Sequence, residues 1–487
     1  MEKLTIALTP IWILAVGVVA GAAALLLVWG LTWLISRPAG RALAAALNDS
    51  ILRPVSYVVI AIATLALLAT PAMPWAEVKA SLWRLPSVSS ISKAIEVKSQ
   101  MNDFAVDAPF RAEELQEYTI DSEQDVAINT APGKGYVEPL LQISGGEQYR
   151  WTPGGSTLRA FDGEVEKLYI TNESDAPSKV TLRLALDVPT PQVRAIPITA
   201  AATVALYLIY LAIHFLARRT SVIAAATAKE IVNQPLFTML VAIGVVALVA
   251  YVYTPYNTFG EDVKMLKTSG MTTIKVLAIL MALWTASTSV ADEIEGRTAL
   301  TVLSKPVGRR QFILGKFLGI VWPILLMFLI LGFVFLITVS YKVVYDARES
   351  AKTTPEWPDC YVEVVRIVPG LILAFFEAVI MAAISVAVST RLPMLPNLVI
   401  CGSIYALGHL AALIVKSSIG DNVFVQFVGK LLSVVLPVLD HFEIEGAIAG
   451  ASSVPAEYLW WSLGYTALYC TAAMLLALIF FEDRDLA

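Results

Sequence analysis

The chain has 487 residues, 57% of them hydrophobic and only 15% charged, against roughly 25% charge in an ordinary soluble domain. With a mean hydropathy of +0.70 and a net charge of -5 without any basic patch, a soluble enzyme, an intrinsically disordered chain and a nucleic-acid binder are excluded. Cys360, Cys401 and Cys470 form no CxxC pair and offer no disulfide framework.

The first apolar run follows Lys3 and is too long for a signal-peptide core, so it reads as a retained anchor. Charge-poor runs of about 20 residues, enough to cross a hydrocarbon layer of roughly 30 Å, fall at 11–35, 55–75, 195–216, 235–253, 275–291, 317–340, 367–389, 395–416 and 457–481. A tenth run, 422–439, contains Lys430 and Pro437. A lysine at mid-bilayer on a lone helix is costly, so this run reads as re-entrant or interfacial, leaving about nine transmembrane helices. Arg37, Arg41, Arg53, Arg218, Arg219, Lys229 and the cations of 297–316 then share one side with Arg391 and Arg484. The positive-inside rule favours an N-terminus outside and a C-terminus in the cytoplasm of a cell (inner) membrane.

Between the second and third spans the pattern changes period. Residues 76–192 hold 11 Lys+Arg and 18 Asp+Glu, a net of 11 - 18 = -7. In Val180-Thr181-Leu182-Arg183-Leu184-Ala185-Leu186-Asp187-Val188 every even position is apolar, the alternation of a half-buried strand. Leu168-Tyr169-Ile170-Thr171 precedes it across a polar turn, and Pro132-Gly133 and Pro153-Gly154-Gly155 punctuate the rest. The expected fold is a polytopic α-helical membrane protein with an inserted, extracytoplasmic, mostly-β, sandwich-like domain. Its divisions are 1–75 (two transmembrane helices), 76–192 (the β domain), 193–220 (a third transmembrane helix) and 221–487 (a six-helix core with a hairpin at 291–317). Asn172-Glu173-Ser174 fits a glycosylation acceptor, but a three-residue match arises readily by chance.

The hairpin runs from Asp292-Glu293-Ile294-Glu295-Gly296-Arg297 through Leu300, Leu303-Ser304-Lys305-Pro306 and Arg309-Arg310 to Gly315-Lys316. An acidic patch ends one span, a short apolar face follows, and Ser304-Lys305-Pro306 breaks the helix, since proline disfavours helical backbone at the residue before it. A second element starts at Arg309 and enters the next span. On composition alone this is also an ordinary positive-inside loop.

The order of residues is more specific. Glu295-Gly296, Leu300, Leu303-Ser304, Pro306, Arg309 and Gly315-Lys316 resemble the cytoplasmic loop of type-two ATP-binding-cassette exporter permeases. The family's usual Thr-Leu after Glu-Gly is replaced here by Arg297-Thr298-Ala299-Leu300. Ala228-Lys229-Glu230-Ile231 resembles that family's amphipathic elbow helix, Leu436-Pro437-Val438-Leu439-Asp440 the stretch before its last helix, and Phe480-Phe481-Glu482-Asp483-Arg484-Asp485 its aromatic and charged ending. The resemblance covers 221–487 and leaves the first 220 residues as an addition.

It implies a membrane-spanning permease subunit, not an enzyme, that couples ATP hydrolysis by a separate chain to substrate movement. The coupling residues it implies are Glu293, Glu295, Gly296, Arg297, Leu300, Leu303, Ser304, Pro306, Arg309, Arg310 and Lys316, with Lys229 and Glu230 on the elbow. The implied partners are two ATPase subunits, a second permease in a homodimer or heterodimer, membrane lipid and an extracytoplasmic partner. ATP and Mg would be held by the ATPase, and no cofactor by this chain. Neither Gly315-Lys316-Phe317 nor Gly133-Lys134-Gly135 fits the GxxxxGK[ST] loop that cradles phosphates. A membrane scaffold presenting the β domain, and a secondary transporter, stay open as other classes.

Inside the apolar runs, Glu377 and His409 stand out. An ionisable group there marks a paired or functional site. Glu377 reads as paired with a partner such as His409 or as a protonated, hydrogen-bonded side chain, as lining a translocation path together with His409, or as part of a proton relay, for which no chain of groups is evident. Lys275 and Arg366 lie at expected span ends and read as snorkelling cations. His214, His409 and His441 are too scattered for a metal site. The acidic groups of 440–445 read as a solvated outer rim or a partner-binding face.

Overall fold

In a computed structural model of the full chain, alternation becomes sheet where the sequence alternates and helix where it is continuously apolar. The structure describes all residues except 1, 49–50, 154, 156–159, 255, 257–260, 296–307, 351–352, 417–426, 428–435, 445, 447–453 and 483–487. The chain divides into two compact units, Pro74–Pro197 and Met1–Met73 with Ile198–Ala487.

The first unit is a β-sandwich. Eight strands, β1 (Ile91–Val97), β2 (Met101–Arg111), β3 (Leu115–Ser122), β4 (Val126–Asn129), β5 (Leu141–Ile143), β6 (Gln148–Trp151), β7 (Glu164–Asn172) and β8 (Ser178–Leu186), form two antiparallel sheets. Their orders are β1-β8-β3-β6 and β2-β7-β4-β5. The alternating run of the sequence is β8, whose Val180, Leu182, Leu184 and Leu186 point into one core with Val106, Phe110, Leu168 and Ile170 of the other sheet. Tyr118 stacks on Trp151 with ring centroids 5.3 Å apart and meets Phe161 edge-on at 5.1 Å. Gly133, in the expected turn, has φ +85°, a left-handed conformation that glycine adopts without strain. Asn172 is fully buried and its amide donates to the carbonyls of Ala176 and Lys98, so it is no glycosylation acceptor.

The second unit is helical: α1 (Glu2–Ile35), α2 (Arg37–Asn48), α3 (Leu52–Ala69), α5 (Ala195–Leu216), α6 (Arg218–Asn233), α7 (Pro235–Tyr253), α8 (Asp262–Ala286), α9 (Asp292–Glu295), α10 (Arg309–Glu349), α11 (Trp357–Val365), α12 (Val368–Ser389), α13 (Met394–Lys416) and α14 (Ala456–Glu482). The short helix α4 (Trp75–Arg84) belongs to the sandwich unit. Among the described residues eight helices are long and apolar enough to cross a membrane. They cover eight of the nine expected spans. The remaining one, 395–416, is helical as α13, and its apolar part within the described residues is the shorter Met394–Leu410. Most of the expected re-entrant run, 422–439, lies outside the described residues. From Leu436 onward the chain lies against α13 and α14: a Cβ on Gly408 would come within 2.8 Å of the Pro437 oxygen, and Val438 N–H donates to the Tyr465 hydroxyl at 3.0 Å.

Burial sorts the helices into a centre and a shell. In the most apolar window of Asp262–Ile294 78% of residues are buried, whereas for Leu52–Ala72 the share is 11%. Helices α8, α10 and α12 are therefore the core, and α10, at 41 residues, is about 60 Å long. The N-terminal helices pack on this core. Ser340 on α10 donates to the Ala7 carbonyl at 2.5 Å, Ser56 and Tyr207 join α3 to α5 at 2.8 Å, and Tyr210 meets Trp322 edge-on at 5.7 Å.

Candidate functional site

Helix α8 runs through a π-helical turn, Ser287–Ala291, into α9, and π-turns within helices collect at functional positions. The tip of the expected coupling hairpin, with Gly296, Arg297, Leu300, Leu303, Ser304 and Pro306, and the side chain of Glu295, lie outside the described residues. Its two feet are described. Gly308 N–H donates to Gln311 Oε1 at 3.2 Å, and α10 starts at Arg309, as the proline-broken pattern requires.

Two turns along α10, Lys316 Nζ meets Glu293 Oε1 at 2.5 Å, its side chain only 6% exposed. The ammonium also lies over the Phe312 ring, Phe312 stacks on the fully buried Phe481 at 5.7 Å, and Arg309 sits over Phe481 while donating to the Glu482 carbonyl at 2.7 Å. The structure thus joins the hairpin feet to the aromatic C-terminal stretch. Arg310 faces outward.

The elbow helix α6 closes the other side. Ala224, Thr227, Ala228 and Ile231 are buried while Lys229 and Glu230 are exposed. The fit depends on two glycines of α10: a Cβ on Gly315 would lie 2.7 Å from Ile223 Cβ, and one on Gly319 2.6 Å from Thr227 Cβ. Glycines four apart let helix backbones approach closely. Gly315-Lys316 therefore combines a packing glycine with an ion-pairing lysine. A cleft of about 490 Å³ between α6 and the hairpin feet is lined by Arg218, Arg219, Glu230, Glu293 and Lys316.

Below the feet sits a polar knot with no counterpart in the sequence reading. Asn397 of α13 is fully buried, with its amide nitrogen 2.7 Å from Ser287 Oγ in the π-turn, 2.8 Å from Ser385 Oγ and 3.0 Å from Ser389 Oγ on α12. Cys401 Sγ donates to the side-chain Oδ1 of Asn397. A satisfied buried network of this kind rigidifies its surroundings, and it ties α8 to α12 and α13.

Deeper in the bundle, Glu377 is fully buried, and His409 Nε2 lies 3.3 Å from its Oε1. Lys275 does not snorkel. Helix α8 begins at Asp262, so Lys275 falls within it, is 7% exposed and places Nζ 3.8 Å from Glu377 Oε2. Arg366 is half-buried beside Glu363 at 3.2 Å rather than reaching freely outward. Sequence reasoning also missed Lys267, buried against Glu363, and Lys342, 1% exposed between Asp262 Oδ2 at 3.3 Å and the Val252 carbonyl at 3.2 Å. One signal was present: Lys267, Met271, Ile274, Lys275 and Ala278 share one buried helical stripe, so the two lysines point where the apolar residues point. Among the described residues no group of three or more His, Cys, Asp or Glu is arranged to hold a metal ion.

In comparison with known proteins, no curated protein and no solved structure matches the chain. One family model does: that of the ABC-2 family transporter protein, over residues 247–486.

Proposed function

The chain belongs to the ABC-2 family of transporter proteins through residues 247–486, and on that footing we propose that it is the permease subunit of an exporter driven by a separate ATPase chain. In this reading two ATPase copies bind ATP and Mg on the cytoplasmic side and engage the 296–307 tips of two permeases, identical or similar. The N-terminus lies outside, the C-terminus inside, and the sandwich is extracytoplasmic, where it guides substrate or receives a partner.

The observation that carries the proposal is the stapled pair of hairpin feet. The Lys316–Glu293 and Arg309–Glu482 contacts bind both feet and the C-terminal helix into one stiff end, which supports transmission of a load applied at the tip. Through the π-turn the load reaches the Asn397 knot, and with it α12 and α13. Such a bundle alternates between discrete packings rather than deforming smoothly. Lys229, Glu230 and Arg310 border the feet as exposed contacts for the motor.

The test is to place aspartates at Leu300 and Leu303 and purify the full chain from native membranes. The ATPase should no longer co-purify, while the amount of permease in the membrane holds. Undiminished co-purification removes the reading. A secondary transporter or a scaffold would tolerate both substitutions.

A further inference from the structure

Two apolar helices give way to arginines at one place in the fold. Helix α1 closes with the exposed Leu34 and Ile35 and is followed by Arg37 and Arg41 of α2. Helix α5 closes with the exposed Phe215 and Leu216 and is followed by Arg218 and Arg219 of α6. The Arg37 guanidinium lies over the ring of Trp33, 5.6 Å from its centroid, and tryptophan collects where a membrane meets water. The two arginine pairs are far apart in the sequence, so no basic run announces them. The fold sets α2, α5 and α6 around one open cleft of about 830 Å³, within the roughly 300–1,000 Å³ of ligand pockets.

The walls of this cleft carry charge of one sign. Ala45 of α2, His214 of α5, and Arg218 and Lys229 of α6 line it, and among the described residues no carboxylate does. Helices α2 and α5, and α6 as far as Lys229, contain no Asp or Glu at all. Arg37, Arg41 and Ala45 follow one another at intervals of four, so both arginines stand on the face that Ala45 turns to the cleft. Ser221 Oγ lies 3.3 Å from His214 Nδ1 and adds a polar group to the wall. Like charges gathered around one cleft repel one another. A phosphate group offsets that repulsion, and its oxygens take the paired N–H groups of a guanidinium.

We propose that this cleft holds the phosphate headgroup of an anionic phospholipid, with Arg41 and Arg218 as its main donors and its acyl chains on the exposed ends of α1 and α5. Basic pockets between membrane helices take anionic headgroups in this way. A free phosphate offers the same oxygens, but it makes no use of Leu34, Ile35, Phe215 and Leu216, which present apolar surface directly beside the cations. The bound lipid joins α2 of the N-terminal segment to the elbow helix α6. The site needs only that α1 and α5 cross the membrane, so it stands or falls apart from the coupling reading.

The test titrates the full chain, in an uncharged detergent, with phosphatidylglycerol or phosphatidylcholine of equal chain length and counts the bound lipid by mass spectrometry. The unaltered protein should take up phosphatidylglycerol at concentrations where phosphatidylcholine stays unbound. Arg41→Gln combined with Arg218→Gln should raise the half-saturating phosphatidylglycerol concentration about tenfold. Arg111→Gln combined with Arg150→Gln, the same charge change at exposed arginines of the sandwich, should leave it where it was. Lys229 is kept in every variant, so the contacts ascribed to the motor are not disturbed. Equal uptake of the two lipids overturns the site, and so does equal weakening in both double variants. Displacement of the lipid by excess inorganic phosphate overturns it as well, since the cleft would then serve a soluble anion. If the first double variant does not accumulate, the lipid preference and the phosphate competition of the unaltered protein decide.

Discussion

In the sandwich, Ile120 and Leu182 face each other across neighbouring strands with no exposure, while Arg150 and Glu117 pair at the surface. In the helical unit the arrangement is reversed: Leu280 and Ile209 are exposed, and Lys275, Glu377 and Asn397 are inside. The same twenty side chains are sorted by different surroundings. Water takes the charges of the first unit outward. A hydrocarbon surround has no affinity for them and drives polar groups toward one another in the bundle interior. Position inside or outside therefore says nothing about a residue's importance until the solvent of that unit is known.

The sharpest way to break the comparison is an aspartate at one leucine of each unit. Leu182→Asp buries an unpaired charge in the sandwich core, a class of change that costs about 4 kcal/mol or more. Limited proteolysis of the full chain should cut within 74–197 and leave the helical unit intact. Leu280→Asp touches a side chain that is 48% exposed and would be harmless in a water-soluble protein. On a lipid-facing helix centre it costs about 3 kcal/mol of insertion, visible as a loss of membrane-integrated chain. Normal integration of Leu280→Asp would mean that this face of α8 is wet, and the contrast would fail.

The same contrast explains what the sequence made legible. Alternation in 180–188 is a local signal, and β8 with its neighbour β7 lies where the pattern points. Long apolar runs are equally local, which is why eight expected spans have counterparts. Lys275 was misjudged because the charge-poor run begins at it and so places it at a span end, whereas α8 starts at Asp262 and carries its lysines inward. The Glu377–His409 pairing was open to guesswork, being two ionisable groups on successive apolar runs. The Lys275–Glu377 and Glu443–His409 contacts join residues about 100 and 34 positions away from their partners, and no periodicity reports such distances. Asn397 was invisible for a related reason: its partners are serines, which in an apolar run read as small packing residues.

A milder test concerns that knot. Asn397→Ala strips a fully buried amide from three serine hydroxyls, and leaving such partners unsatisfied costs about 2 kcal/mol. The thermal midpoint of the full chain should drop measurably, and by more than for any single exposed polar residue of the sandwich. An unchanged midpoint would show that the serines find their bonds within their own helices, as Ser287 already does with the Leu283 carbonyl at 3.0 Å.

The smallest effect is expected at Arg150. Its Nε lies 2.7 Å from Glu117 Oε1, nearly as close as Lys316 lies to Glu293, so distance alone would rank the two pairs together. Their surroundings do not. The Arg150 and Glu117 side chains are 63% and 37% exposed, so water solvates both charges when the contact is lost, and exposed pairs of this kind contribute under about 1 kcal/mol. Lys316 is 6% exposed, and removing it leaves the Glu293 carboxylate, 25% exposed, without its ammonium where water reaches poorly. Arg150→Ala should therefore leave the protease resistance of 74–197 unchanged, and added salt should have no effect on it. A clear loss of that resistance would mean that the Glu117–Arg150 edge of the sandwich is screened from water in the working protein, and the contrast with the Lys316–Glu293 pair would fail.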